Sequence, residues 1–286
     1  DKYENKIAMP GITKEDIRLR NINNNLEPQI PCAVYGEGEF EDVYMPQGKS
    51  YIGWKRAMES LGGSTTTRDA KEMQSVSSRV QSSVREGLSQ DIPLVAYFST
   101  DRYKKERRDT DVSLVGSRMR GYFNALDTTT STKFFLDMYY TETLDEVQNA
   151  IHSPLLAAVN NAVRTCVNCR NLKYNLKTQE LLVEYNNGES LPFNLLSDGV
   201  RCTLAMVMEI AFRCHLLNPH LGDDAPSRTK GVVLIDEVDL HLHPSWQIHV
   251  LDDLHRAFPE IQFVVSTHAP LVVSRLNDCR IYSIAD

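Results

Sequence analysis

Residues 1–60 alternate short β-prone stretches, such as Cys32-Ala33-Val34-Tyr35, with Gly, Pro and Asn. That pattern predicts a meander with turns at Gly36-Glu37-Gly38 and at Gly48. From Gly62 to Gly87 polar and charged side chains take over, and residues 69–84 read as a largely polar surface helix. Leu94-Val95-Ala96-Tyr97-Phe98, directly after Pro93, is an apolar run with the length and β-propensity of a buried strand. Across residues 119–170, Phe134, Phe135, Met138, Leu144 and Val147, then Leu155, Leu156, Val159 and Val163, recur at helical spacing, which predicts a helical insert. Residues 172–176, 181–185 and 191–193, with a hairpin signal at Asn186-Asn187-Gly188, predict a small antiparallel sheet. A helical pattern follows through Leu204, Val207, Met208 and Ala211, and two further apolar strands lie at 231–235 and 261–266. We expect an α/β fold in three segments: 1–100 with a β-rich start, 101–170 as a helical insert or lid, and 171–286 as the C-terminal core.

Composition narrows the function classes. Of 286 residues, 42% are hydrophobic and 24% charged, the balance of an ordinary globular chain. The formal charge of -7 excludes a globally basic nucleic-acid coat, although Arg102, Lys104, Lys105, Arg107 and Arg108 form one local cationic run around Tyr103. That run reads either as a solvated loop or as a phosphate or nucleic-acid contact. No apolar stretch reaches the length of a membrane span, and the polar start carries no secretory signal, so a cytoplasmic location is expected. The six cysteines lack the spacing of a disulfide scaffold; Cys166 and Cys169 form a C-x-x-C pair without a second pair to complete a zinc site.

The chemistry concentrates in the last third. Gly231-Val232-Val233-Leu234-Ile235-Asp236-Glu237 is an apolar strand ending in adjacent carboxylates. At the C-terminal end of a parallel strand, Asp236 can hold Mg²⁺ through oxygen, and Glu237, pointing elsewhere, can polarise a water. Taken alone, the same stretch also reads as a core strand ending in a solvated acidic turn. The next strand ends in Ser266-Thr267-His268, which places His268 where it can reach a phosphate over the same sheet edge. Upstream, Leu195-Leu196-Ser197-Asp198-Gly199 precedes a helix: Ser197 can cap it, Gly199 lets a ligand approach the backbone, and the exposed amides suit an anion.

The order Ser-x-Gly-helix, strand-Asp-Glu, strand-His resembles the ABC-type P-loop ATPase head. Leu191-Pro192-Phe193-Asn194-Leu195-Leu196-Ser197-Asp198-Gly199, the segment from Asp236 to Gln247 and Ser266-Thr267-His268-Ala269-Pro270 resemble ATPases of the RecF, SMC and OLD class, including PtuA-type ATPases of Septu and retron defence systems. The resemblance implies a mixed sheet flanked by helices, ATP and Mg²⁺ as ligands, Asp236 on the metal, and Glu237 and His268 as catalytic groups. It further implies that Ser197, Asp198, Gly199, Arg102 and His243 border the nucleotide, with Asp198 standing where many ABC proteins have Gly. Leu240 to Pro244 correspond to the D-loop, and the family's head-to-tail dimers would bring Ser197 and Gly199 to a nucleotide held by the other subunit. His241 and His243 lack the Cys or carboxylate partner that a zinc site would add.

An ATPase of this type needs a Gly-x-x-x-x-Gly-Lys-Ser/Thr loop. Gly48-Lys49-Ser50 fits only in part, because Val43 occupies the first glycine position, and family order puts the phosphate loop upstream of residue 1. Near Arg102, the sequence Phe98-Ser99-Thr100-Asp101 lacks glycines that relatives carry. The expected role is an ATPase subunit of a prokaryotic anti-phage complex, whose dimer closure regulates an associated nuclease, most simply of the H-N-H type, with DNA or RNA as a further partner. The alternatives are a DNA-repair or chromosome-maintenance ATPase of RecF or SMC type, and a scaffold that binds ATP without turnover.

Overall fold

The computed structural model describes residues 11–40, 51–103, 117–128, 132–274 and 279–284. Gly48-Lys49-Ser50 and the cations from Lys104 to Arg108 lie outside the described residues. Two compact units make up the chain, Asp1–Leu88 and Ser89–Asp286.

In the first unit, β1 (Leu19–Ile22) pairs antiparallel with β2 (Asn25–Pro28), and β3 (Cys32–Glu39) with β4 (Tyr51–Met58). The turn expected at Gly36-Glu37-Gly38 is instead the middle of β3. Gly36 sits opposite Trp54 in the ladder, and a Cβ there would lie 2.4 Å from the indole ring, so this glycine makes room for a close approach rather than a reversal. Helix α1 (Lys71–Arg85) follows the expected polar pattern and buries only Val76 and Val80.

The second unit is built on a three-stranded parallel sheet in the order β10-β9-β5, from β5 (Leu94–Phe98), β9 (Gly231–Ile235) and β10 (Ile261–Val265). Leu94, Gly231 and Ile261 start in register, and Phe98, Ile235 and Val265 end in register. The three loops that follow therefore leave the same sheet edge together. One face is sealed by Leu94, Ala96, Phe98, Val233 and Ile235, all buried, against which α4 (Asp198–Leu217) packs. That helix is apolar on nearly every side, as a helix enclosed by other elements must be. Around it lie α2 (Thr132–Asn149), α3 (Pro154–Val167) and the short α5 (Ala225–Arg228). Val147, expected on the apolar stripe of α2, is 63% exposed, because only Phe135, Met138 and Tyr139 of that helix turn inward.

Buried polar contacts fix these helices. Asn218, just past α4 and before Pro219, accepts the Ile92 amide at 2.6 Å and donates to its carbonyl at 2.9 Å, setting where β5 begins. Asn160 on α3 accepts from Leu172 N at 2.8 Å and donates to the Tyr139 hydroxyl at 3.0 Å, joining α2, α3 and β6 (Asn171–Asn175). With β7 (Glu180–Glu184) and β8 (Ser190–Pro192), β6 forms the expected antiparallel sheet, whose last strand leads into Ser197. Helices α6 (Pro244–Gln247), α7 (Val250–Ala257) and α8 (Pro270–Val273) complete the unit. No helix among the described residues is long and apolar enough to cross a membrane.

Candidate functional site

Asp236 and Glu237 follow the central strand β9 directly, so the sheet register decides their place. The Asp236 amide donates to the Phe98 carbonyl at 2.8 Å, extending the ladder one residue beyond Ile235. Glu237 then turns away with φ +47, a left-handed conformation that glycine adopts freely and glutamate does not. Both ends of this strained residue are held. Its amide donates to Ser266 Oγ at 2.9 Å, and its carbonyl accepts from Leu240 N at 2.9 Å and from Arg102 Nη2 at 2.7 Å. Ser266 Oγ also donates to Asp236 Oδ1, so one hydroxyl links the two adjacent carboxylate residues. A second clamp runs in parallel, with Thr267 Oγ1 donating to Asp239 Oδ1 and Val238 N donating to the Ser266 carbonyl at 3.0 Å.

His268 projects from the same edge, 89% exposed at its side chain, with Nε2 4.0 Å from Glu237 Oε1. Asp236, Glu237 and His268 therefore lie together at this edge. Arg102 joins them from below. It is 8% exposed and donates through Nη1 to the carbonyls of Ser99 at 2.9 Å and Asp236 at 2.6 Å, in addition to Glu237. Burial pulls its guanidinium below the ordinary value, against the opposing effect of nearby Cys202, Asp236, Glu237 and Asp239. Arg102, expected to border the nucleotide, spends these donors on backbone carbonyls.

The loop before α4 meets the site through Gly199. Ser197 is the N-cap residue in position, yet its side chain makes no capping hydrogen bond, which leaves the exposed hydroxyl available to something other than its own helix. Asp198 is exposed and pairs with Arg201 at 2.8 Å, one turn along. Gly199 is buried, and what approaches its backbone is the chain itself: a Cβ would lie 2.3 Å from the His241 carbonyl oxygen. His243 caps α6, its Nδ1 accepting from Ser245 N at 3.3 Å. In the sequence Ser266 and Thr267 stand only as neighbours of His268. A hydroxyl pair ending the strand beside an Asp-Glu strand is the signal that points to their part. The C-x-x-C thiols are free and buried; burial pushes both up, Cys169 to about 11.

A family model described as "AAA domain, putative AbiEii toxin, Type IV TA system" matches residues 69–274. The chain belongs to this family. The chain is similar to the retron Ec83 probable ATPase of Escherichia coli, at 38% identity over 150 residues, 51% of this chain and 25% of that protein. It is 45% identical to the retron Vc95 probable ATPase of Vibrio cholerae serotype O1 biovar El Tor over 91 residues, 32% of this chain and 17% of that one. The Septu protein PtuA of Bacillus mycoides (strain KBAB4) is 30% identical over 185 residues, 65% of this chain and 24% of its own length. The chain thus spans a quarter or less of these relatives. Among solved structures, an SmcHead bound to the C-winged helix domain of ScpA aligns at TM-score 0.44 and 15% identity, covering 87% of this chain and 70% of that one.

Proposed function

We propose that the chain contributes catalytic groups to an ATP-hydrolysing head in a prokaryotic anti-phage defence protein. The observation that carries this reading is the sheet edge where Asp236, Glu237 and His268 converge, with Glu237 pinned in a left-handed turn and 4.0 Å from the imidazole. Backbone strain held by several contacts is characteristic of functional sites. The similarity to retron and Septu ATPases supplies the biological setting.

The donor set fits Mg²⁺, a hard cation that prefers carboxylate oxygen: Asp236 is half-buried at the strand end and its carboxylate is oriented by Ser266. Asp236 would hold the metal, whose charge would offset that of the phosphate oxygens. Glu237 orients a water and takes its proton, and His268 stands by the same carboxylate to contact the phosphate end of the substrate. Ser197 and Asp198, exposed at the start of α4, present amides and a hydroxyl suited to a phosphate, and in a head-to-tail dimer that phosphate belongs to the other subunit's nucleotide. Closure of such a dimer would control an associated nuclease, with DNA or RNA as its target.

The test is phosphate release by full-length protein with and without Mg²⁺. Glu237→Gln should retain ATP while slowing hydrolysis on the order of 10²-fold or more. Asp236→Asn should weaken Mg²⁺-dependent nucleotide binding. Turnover unchanged in the first variant, together with unchanged Mg²⁺ dependence in the second, overturns the reading.

A further inference from the structure

Arg102 is a buried cation whose three described side-chain acceptors are all main-chain carbonyls: Ser99 at 2.9 Å, Asp236 at 2.6 Å and Glu237 at 2.7 Å. A guanidinium is costly to bury unless its donors are met, and a core arginine that only had to be neutralised would be met by a carboxylate. Here the donors fan out across the ends of two adjacent strands. Ser99 follows β5, Asp236 and Glu237 follow β9, and the Asp236 amide already reaches Phe98 across the same gap. We infer that Arg102 is a positioning residue for the hydrolytic step, holding the Asp236-Glu237 peptide so that Glu237 stays in its left-handed turn with its carboxylate facing His268. This inference rests on the reading of Asp236 and Glu237 as the metal and water carboxylates.

The geometry favours arginine here. Its contacts are shared between two nitrogens of a planar fork, Nη1 to two carbonyls and Nη2 to a third, whereas an ammonium gathers its three donors on one atom at the end of a flexible stem. The restraint acts on both sides of a left-handed residue, because the Glu237 carbonyl takes Arg102 Nη2 while the Glu237 amide is taken by Ser266 Oγ. Without the guanidinium, Glu237 keeps its amide contact with Ser266 and its carbonyl contact with Leu240, and can relax toward a conformation more ordinary for glutamate. Such relaxation moves the carboxylate rather than the nucleotide, and a shift of about 1 Å at a reacting group costs on the order of 10²-fold in rate.

The experiment uses purified full-length protein, with single-turnover ATP hydrolysis and ATP affinity measured separately for wild type, Arg102→Lys, Glu237→Gln and the double variant. Arg102→Lys should slow hydrolysis on the order of 10²-fold and leave ATP affinity within about threefold. In the Glu237→Gln background the same change should add less than about twofold, because both substitutions disable one carboxylate. Hydrolysis within about threefold of wild type in Arg102→Lys overturns the inference, as does an equal factor in both backgrounds or a loss confined to ATP affinity. If the lysine variant does not fold, Arg102→Gln, which keeps a planar donor, is carried through the same cycle and decided by the same thresholds. Absence of Mg²⁺-dependent turnover in the wild-type protein overturns the reading of the carboxylates themselves, and this inference with it; normal wild-type turnover with an indifferent Arg102 overturns the inference alone.

Discussion

Gly199 lies so close to His241 that a Cβ on the glycine would be 2.3 Å from the His241 carbonyl oxygen and 3.5 Å from the Leu242 Cα. The contact joins the first turn of the α4 helix to the loop after the Asp-Glu strand within one chain. That loop carries its own left-handed residue, His241 at φ +59, so it has little freedom to retreat.

Gly199→Ala should therefore destabilise the protein by about 1–3 kcal/mol, the usual cost of forcing an extra methyl against packed atoms. Alanine's better helix propensity, about 1 kcal/mol, offsets part of this and does not reverse it, because the obstruction is backbone. Urea denaturation reads the stability, and hydrogen exchange at residues 240–243 reads the loop. Stability at or above wild type with unchanged exchange would show that the loop yields freely. The substitution acts first inside the chain, so loss of dimer closure in this variant would follow from a displaced loop rather than from a blocked ligand.

Ser266→Ala removes the hydroxyl that donates to Asp236 Oδ1 and accepts from the Glu237 amide. Ser266 is exposed, so water can satisfy both groups and stability should change by only about 0.5–1.5 kcal/mol. Orientation is not restored by water. Apparent Mg²⁺ affinity in ATP hydrolysis by the full-length protein should fall by about 10-fold or more, as when other supports of metal ligands are removed, and Ser266→Thr should recover most of it. A Mg²⁺ titration of the alanine variant that superimposes on wild type would show that Asp236 needs no such support.

Much of this site was legible because periodicity and chemistry coincide. Strands at 94–98, 231–235 and 261–265 are compact apolar runs, and polar residues with specific chemistry begin where each run stops. What the pattern could not show is which strands are neighbours. The register that brings Ser99, Asp236 and Ser266 to one edge is a property of pairing across more than one hundred residues of sequence, as in Phe98 with Ile235. For the same reason the cationic run that holds Arg102 reads as a solvated loop or a phosphate contact, with no sign that two of its carbonyl acceptors lie 134 and 135 positions away on β9's loop. Gly36 shows the converse limit. Glycine in a β-prone stretch signals either a turn or a close approach, and only the Trp54 ring across the ladder decides between them.

Glu209 and Arg213 form a buried ion pair one turn apart on α4, with Arg213 Nη2 2.6 Å from Glu209 Oε1. Arg213 is 1% exposed and also donates to the carbonyls of Gly121 at 2.8 Å and Phe123 at 2.9 Å, tying the end of the 3-10 turn Arg118–Tyr122 to the helix. Glu209→Gln leaves the guanidinium uncompensated and should cost about 3–5 kcal/mol, whereas Glu209→Leu with Arg213→Met should cost less than the two single changes added. Denaturant midpoints of Glu209→Gln, Glu209→Leu, Arg213→Met and the double variant test this. Additive losses would show that the two side chains act independently.

His215, near the end of α4, gives the fold a pH dependence whose sign is fixed by burial. Its Nδ1 donates to the Gly222 carbonyl at 3.2 Å. Burial is the largest influence and lowers its value from 6.5; the Gly222 contact and the charges of Glu142 and Asp223 act in the opposite, weaker sense. The unfolded chain therefore binds the proton more readily than the folded one. The corresponding stability is fully present above the unfolded value and is lost as pH falls below about 6.5 toward the depressed folded value. His215→Gln keeps a donor for Gly222 and removes the titration. The stability difference between wild type and this variant, measured by urea denaturation between about pH 5 and 8, should be level at the alkaline end. It should turn against wild type as the solution is acidified, with a slope below the single-proton limit of about 1.4 kcal/mol per pH unit. A difference that stays flat across the range would mean that His215 gains its proton as easily in the fold as out of it, and one that turns in favour of wild type in acid would mean that the fold holds the proton more tightly.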